Sequence, residues 1–229
     1  MEETWQTLPQ AGKNVPACLV SLGDLLGLTY QASSCAWGCH GPDHTANHLA
    51  ARAANLASAS LRCLSVGYYD ESLVLTRSIG ELANLLVFFV RQPLEFQRWK
   101  QTDRSERLKR YSPVQVRLAC ERRGIEPAID QAHYALLSEA GTHVTPATTP
   151  EAHNSKRRAV LGGIFQLPGA ILTLTELSAA TAVAAHQASR LLTLPDDVVS
   201  QFDETTQALI NSLPGIDITN INDLLESLD

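Results

Sequence analysis

Aromatic residues make up only 6% of the 229 positions, and there is a single methionine. So thin an aromatic supply argues against a β-sandwich, whose strands draw on aromatic and β-branched side chains. Thirteen glycines and eleven prolines are too few for a collagen-like or low-complexity chain. Five cysteines, an odd number, disfavour a closed disulfide framework. Several catalytic fingerprints are missing as well. There is no G-x-x-x-x-G-K-[ST] loop, no G-x-G-x-x-G, no H-E-x-x-H and no G-x-S-x-G. Nucleotide kinases, dinucleotide enzymes, zincins and α/β-hydrolases are therefore disfavoured. Nor does the beginning of the chain look like an export signal. Met1-Glu2-Glu3 places acids where a leader carries bases, and no apolar run follows. The expectation is a cytoplasmic chain with reduced thiols.

What is present is 45% hydrophobic residues against 18% charged, enough apolar side chain to bury a core. The periodicity is helical. Leu49, Ala53, Leu56, Ser60 and Leu64 recur at steps of three and four, and Gly67 closes that segment. A second helix is expected from an N-cap at Asp70 to Arg91, stopped by Gln92-Pro93. Ser112-Pro113-Val114-Gln115 reads as a capping box opening a helix that ends at Gly124. A further helix spans about 127–140, another opens at Thr149-Pro150-Glu151 and breaks at Pro168, and a last long one runs to Leu194-Pro195. No stretch alternates with period two. The expected architecture is all-α: an irregular segment over 1–41, a helical bundle with a four-helix core over 42–194, and a tail over 195–229 with short acidic helices at about 196–212 and 219–228.

Ala159 to Ala185 contains no Lys or Arg and only Glu176 as a charge, and it is long enough to span a bilayer. Gly162-Gly163, Pro168-Gly169 and the scattered Thr and Ser residues interrupt it. It reads as a pair of buried core helices, with no membrane partner.

Charge is unevenly placed. Beyond Arg190 there is no base, whereas Asp196, Asp197, Asp203, Glu204, Asp217, Asp223, Glu226 and Asp229 are all acidic. Residues 91–123 hold ten of the eighteen bases. Among them Arg98, Lys100, Arg104, Arg107, Lys109 and Arg110, interleaved with Trp99 and Tyr111, would suit a nucleic-acid backbone and its bases. A solvated helix face is the plainer reading of the same residues. A third is that the acidic tail folds back on the basic stretch or meets a partner.

Three constellations carry chemistry. Arg77, Glu81 and Asn84 fall on one face of an otherwise apolar helix, so they form either an internal ion pair or the wall of a polar pocket. Tyr134, Ser138 and Glu139 sit near a helix end, with His143 just beyond Gly141 as either a candidate acid or base or a loop histidine that caps helix carbonyls. Cys35, Cys39, His40, His44 and His48 are five soft donors within fourteen residues. They invite a zinc reading, but the closely spaced Cys pairs of structural zinc sites are missing. Partly buried cysteines beside exposed histidines is the competing description, and no metal or cofactor is assigned.

Gly67-Tyr68-Tyr69-Asp70-Glu71-Ser72, followed by Leu75-Thr76-Arg77-Ser78-Ile79-Gly80-Glu81, resembles the R-S-x-x-E segment of a group of mostly uncharacterised prokaryotic helical proteins. Tyr134-Ala135-Leu136-Leu137-Ser138-Glu139 with His143 resembles a second segment of that group. The group belongs in or near the HEPN superfamily (higher eukaryotes and prokaryotes nucleotide-binding), and the resemblance spans about residues 45–190. It implies a four-helix core, often a homodimer, and in many members a metal-independent ribonuclease of a toxin or phage-defence system. Carried onto this chain, it makes Arg77, Glu81 and His143 the catalytic candidates. The superfamily's ribonuclease signature, an Arg followed by a His four to six residues later, has no match here.

Three functional expectations follow, the third being a small-molecule or metal sensor that uses the Cys35–His48 cluster. In the first the protein acts on RNA or a nucleotide. Arg77 holds phosphate, Glu81 orients it and His143 moves the proton. Arg157 and Arg158, with the basic stretch above, add backbone affinity. In the second it is a non-catalytic helical interaction subunit that docks a partner through its acidic tail.

Overall fold

Two long apolar helices, α4 (Tyr69–Arg91) and α9 (Leu167–Leu191), pack against each other at the centre of the computed structural model. The structure describes residues 2–10, 12, 14–141 and 162–214. By length and composition alone both helices are apolar enough to cross a membrane. Here most of each faces protein instead: Leu86 and Phe89 of α4 and Leu174 and Leu177 of α9 are buried. Ala180, Ala184 and Ala188 keep the α9 surface low, so neighbouring helices approach closely.

Two more helices complete a four-helix core. α2 (Val15–Ser33) and α3 (Thr45–Ser65) pack on each other and on α9, and α3 also packs on α4. Between α3 and α4 three hydroxyls replace apolar contact. Ser60 Oγ lies 2.7 Å from Ser72 Oγ and 3.2 Å from Thr76 Oγ1, and Ser72 Oγ donates to the Ser60 carbonyl at 2.9 Å. Each of these three hydroxyls is therefore satisfied, which spares this contact the penalty of an orphaned polar atom. The remaining described helices are α1 (Glu2–Thr7), α5 (Pro93–Gln101), α6 (Arg104–Arg110), α7 (Pro113–Glu121), α8 (Gln131–Gly141) and α10 (Asp196–Asn211). No strand occurs among the described residues. The all-α expectation and a four-helix core hold, but the core takes α2 from outside the bundle expected over 42–194.

Several local expectations need correction. The segment over 1–41 is not irregular throughout: α2 buries Val15, Cys18, Leu22, Leu25, Thr29 and Ala32, a continuous stripe at steps of three and four. Gly23, Gly27 and the polar members of that stripe weaken its apolar signal. Asp70 is not a cap but lies in the first turn of α4, where the helix dipole favours an acid. Ser112 precedes α7 without a side-chain capping bond, so the expected box does not form. Instead Asp103 caps α6, accepting from the Glu106 N–H at 2.9 Å. Pro168 does not end a helix but sits in the first turn of α9, where its missing N–H costs nothing. The helix expected at Thr149 and the one expected at 219–228 lie outside the described residues.

The acidic C-terminal region is also not a free tail throughout. α10 packs on α2 and α9 and buries Val198, Phe202 and Leu209. Its acids lie on the outer face, where Asp203 pairs with Arg190 and with His186. Gly67, at φ +83°, closes α3, and its neighbourhood admits nothing larger. An added Cβ would lie 2.4 Å from the Ile164 carbonyl oxygen.

Candidate functional site

The polar face of α4 meets the α7–α8 region, and this contact builds the site. Its floor is set first. Gly80 lets Ile129 approach so closely that a Cβ there would stand 2.6 Å from Ile129 Cδ1. One turn on, the Asn84 side chain grips the backbone of Ile129. Asn84 Nδ2 donates to its carbonyl at 2.8 Å, and its N–H donates to Asn84 Oδ1 at 3.0 Å. Asn84 is 2% exposed and belongs to this clamp, not to the charged part of the stripe. Asp130 then caps α8 through the His133 N–H at 2.7 Å, which starts the helix at Gln131 and not at 127.

Held in this way, α8 presents Tyr134 to two guanidinium groups. Arg77 of α4 donates to Glu81 Oε1 at 3.0 Å and to the Tyr134 hydroxyl, and its guanidinium carbon lies 4.5 Å from the ring centroid. Arg117 of α7 packs on the same ring at 4.2 Å. Arg117 is 3% exposed; its Nη2 donates to Gln131 Oε1 at 2.6 Å, and its Nη1 has no hydrogen-bond partner among the described residues. No described carboxylate forms an ion pair with it. The Arg77–Glu81 pair is partly buried, so the ion-pair expectation for the stripe is met, and Arg117 brings a second guanidinium to the same tyrosine ring.

On the neighbouring face of α8, His133 Nε2 lies 2.6 Å from Glu176 Oε2 of α9. The Glu176 hydrogen bond, opposed by burial, holds the His133 imidazolium to higher pH than usual. Glu176 is 4% exposed, so the pair ties α8 to the core at a charged point. Ser138 Oγ donates to the Tyr134 carbonyl at 2.7 Å and serves α8 itself.

His143, Arg157 and Arg158 lie outside the described residues. The other basic candidates divide. Arg98 pairs with Glu95 at 2.6 Å, Lys100 with Asp43 at 2.6 Å, and Arg110 with Glu106 at 3.9 Å. Arg107 packs over the Trp99 ring at 5.9 Å, while Arg104 and Lys109 are exposed. Trp99 and Tyr111 pack against a second apolar cluster that contains Phe89 and Phe96. Phe96 stacks on Trp99 at 6.3 Å, and Tyr111 donates to Glu95 Oε2 at 2.7 Å. Burial, with Glu95 beside it, leaves the Tyr111 phenol pushed up to about 12. These two rings are committed to packing.

Of the soft donors, Cys35 Sγ, Cys39 Sγ and a His44 ring nitrogen lie within 4.8 Å of one another in the loop joining α2 to α3. His40 and His48 are exposed and outside that group.

Sequence reading missed Arg117, Gln131, His133 and Glu176. Arg117 carried the only available signal: at three before Cys120 and one after Val116, it shares the buried side of α7. Comparison with family models, with curated proteins and with solved structures yields no match to this chain.

Proposed function

We propose that this is a cytoplasmic, HEPN-like protein that binds RNA or a nucleotide through phosphate, seated against Arg77, Arg117 and Tyr134. The observation that carries this reading is the buried Arg117 guanidinium, which faces no carboxylate among the described residues. A buried charge without a counter-charge costs several kcal/mol, so such a site favours an anion. A planar guanidinium fork can donate to two oxygens of a phosphate at once. Glu81 keeps Arg77 turned toward the Tyr134 hydroxyl, and the exposed Arg104 and Lys109 extend affinity along a backbone. The cytoplasmic setting agrees with the odd cysteine count and with Cys18 and Cys120 buried as thiols. Cleavage, if the bound phosphate is a scissile one, requires a proton carrier, the role that the resemblance gives to His143.

Fluorescence anisotropy with a labelled single-stranded RNA, followed over rising salt, tests this. Each phosphate contact contributes a slope of about 0.7 in log affinity against log salt. Arg117→Gln and, separately, Arg77→Gln should each lower the slope by about that amount while the circular-dichroism spectrum stays helical. Affinity that does not change with salt in the wild type, or that both variants retain in full, refutes the reading. Incubation of labelled RNA with wild type and His143→Ala in EDTA then separates a ribonuclease from a binder.

A further inference from the structure

The loop between α2 and α3 places three soft donors as a metal would need them. We propose that Cys35, Cys39 and His44 bind a zinc ion, with the fourth position taken by water from the adjoining cavity. Zinc with bonds of about 2.3 Å to sulfur and 2.0 Å to nitrogen separates tetrahedral ligands by about 3.8 Å (S to S) and 3.5 Å (S to N). The three donor atoms already lie within 4.8 Å of one another, and Cys39 Sγ is 3.1 Å from His44 Nε2. Seating the ion therefore needs movements of under about 1 Å, within the reach of side-chain rotation.

The surrounding hydrogen bonds point the donors inward. His44 Nδ1 lies 3.2 Å from the Pro42 carbonyl, a contact that requires the proton on Nδ1. In the neutral ring Nε2 then carries the lone pair, and it is the nitrogen that faces Cys39 Sγ. A ligand histidine anchored through its other nitrogen to a carbonyl is the usual outer shell of a zinc site. Asn47 Nδ2 donates toward Cys35 Sγ at 3.6 Å, an arrangement that stabilises a thiolate. The loop is pinned on the far side by Asp43, which accepts from the Thr45 N–H at 3.1 Å and from Lys100 at 2.6 Å. Cys35 is the one non-glycine among the described residues with positive φ, at +58°, and Gly38 and Gly41 at +113° and +146° flank Cys39. The backbone thus turns three times to bring residues 35, 39 and 44 together, and strain of this kind persists where surroundings over-determine it.

A cavity of about 140 Å³ opens at the cluster, lined by Cys35, His40, Asp43, His44 and Asn47 among others. Three protein ligands with an open fourth place is the pattern of a reactive zinc, as opposed to a closed structural one. On binding, each thiol releases its proton to solvent, and the two thiolates neutralise the dication.

Cobalt(II) titration of the reduced, untagged full chain reads this site directly. The expected result is tetrahedral d–d absorption with a thiolate-to-cobalt charge-transfer band, saturating at one ion per chain and displaced by zinc. Cys35→Ser, Cys39→Ser and His44→Asn should each weaken affinity by more than about 100-fold, since losing even an outer-shell partner costs roughly 10–100-fold. Asn47→Leu should fall in that lower range, and His48→Ala should leave binding unchanged. All five residues lie at the loop or its margin, so helical circular dichroism should survive each change. The proposal is overturned if the reduced wild type shows free thiols by thiol assay yet no charge-transfer band, or if Cys39→Ser binds cobalt as the wild type does.

Discussion

The Glu176–His133 contact offers a prediction with a sign as well as a size. Glu176→Gln keeps the shape of the side chain and removes its charge. Glu176 is nearly fully buried, His133 is about one-third exposed on its side chain, and their contact is 2.6 Å. A hydrogen bond to a charged group contributes about 1.5–3 kcal/mol; water reaching His133 places this one at the lower end. The folded imidazolium is held above its ordinary range chiefly by Glu176. Its contribution is therefore complete below the unfolded pKa of about 6.5 and fades as pH rises through the higher, folded value. Urea unfolding followed by circular dichroism, at about pH 6 and about pH 9, is the assay. Glu176→Gln should cost about 1.5–2 kcal/mol at the acidic pH and under about 1 kcal/mol at the alkaline one, where a neutral imidazole still donates a bond. In a His133→Gln background the two pH values should give the same cost. An equal loss at both pH values in the wild-type background, or a larger loss in alkali, refutes the pairing.

Four further outcomes follow from the packing. Asn84→Ala should lower unfolding free energy by about 2–4 kcal/mol in urea, because it orphans both the buried N–H and the carbonyl of Ile129. Gly80→Ala should destabilise despite its gain of up to about 1 kcal/mol in helix propensity, and Ile129→Val should recover part of the loss, since the clash is with the Ile129 side chain. Phe202→Ala should cost about 3–5 kcal/mol, and truncation after Arg190 should abolish cooperative thermal unfolding, because α10 is part of the core.

These costs show how unevenly the molecule was legible. Helix ends marked by local chemistry could be read directly. Gly67 closes α3, Gln92-Pro93 ends α4, and Pro113 opens α7, because backbone freedom and a missing N–H act within a few residues. Arg77 and Glu81 were legible as a pair for the same reason, being one turn apart on an apolar helix. α2 was not, since its stripe passes through Cys18 and Thr29, which count as buried only once neighbouring helices pack on α2.

The sequence by itself determined the all-α class, the helix ends marked by Gly or Pro and the polar stripe on α4, all properties of spacing along a single chain. Only the tertiary structure decided which charges matter. Arg117 has the same chemistry as its neighbour Arg122, yet α7 packs it on the Tyr134 ring while Arg122 is exposed. Trp99 and Tyr111 look like base-stacking platforms in a basic stretch until Phe89 and Phe96 claim their rings. His133 and Glu176 are forty-three residues apart, and Cys35 meets His44 only because the loop reverses at Cys35, Gly38 and Gly41. Burial and charge pairing depend on distances in space that residue type and spacing do not encode.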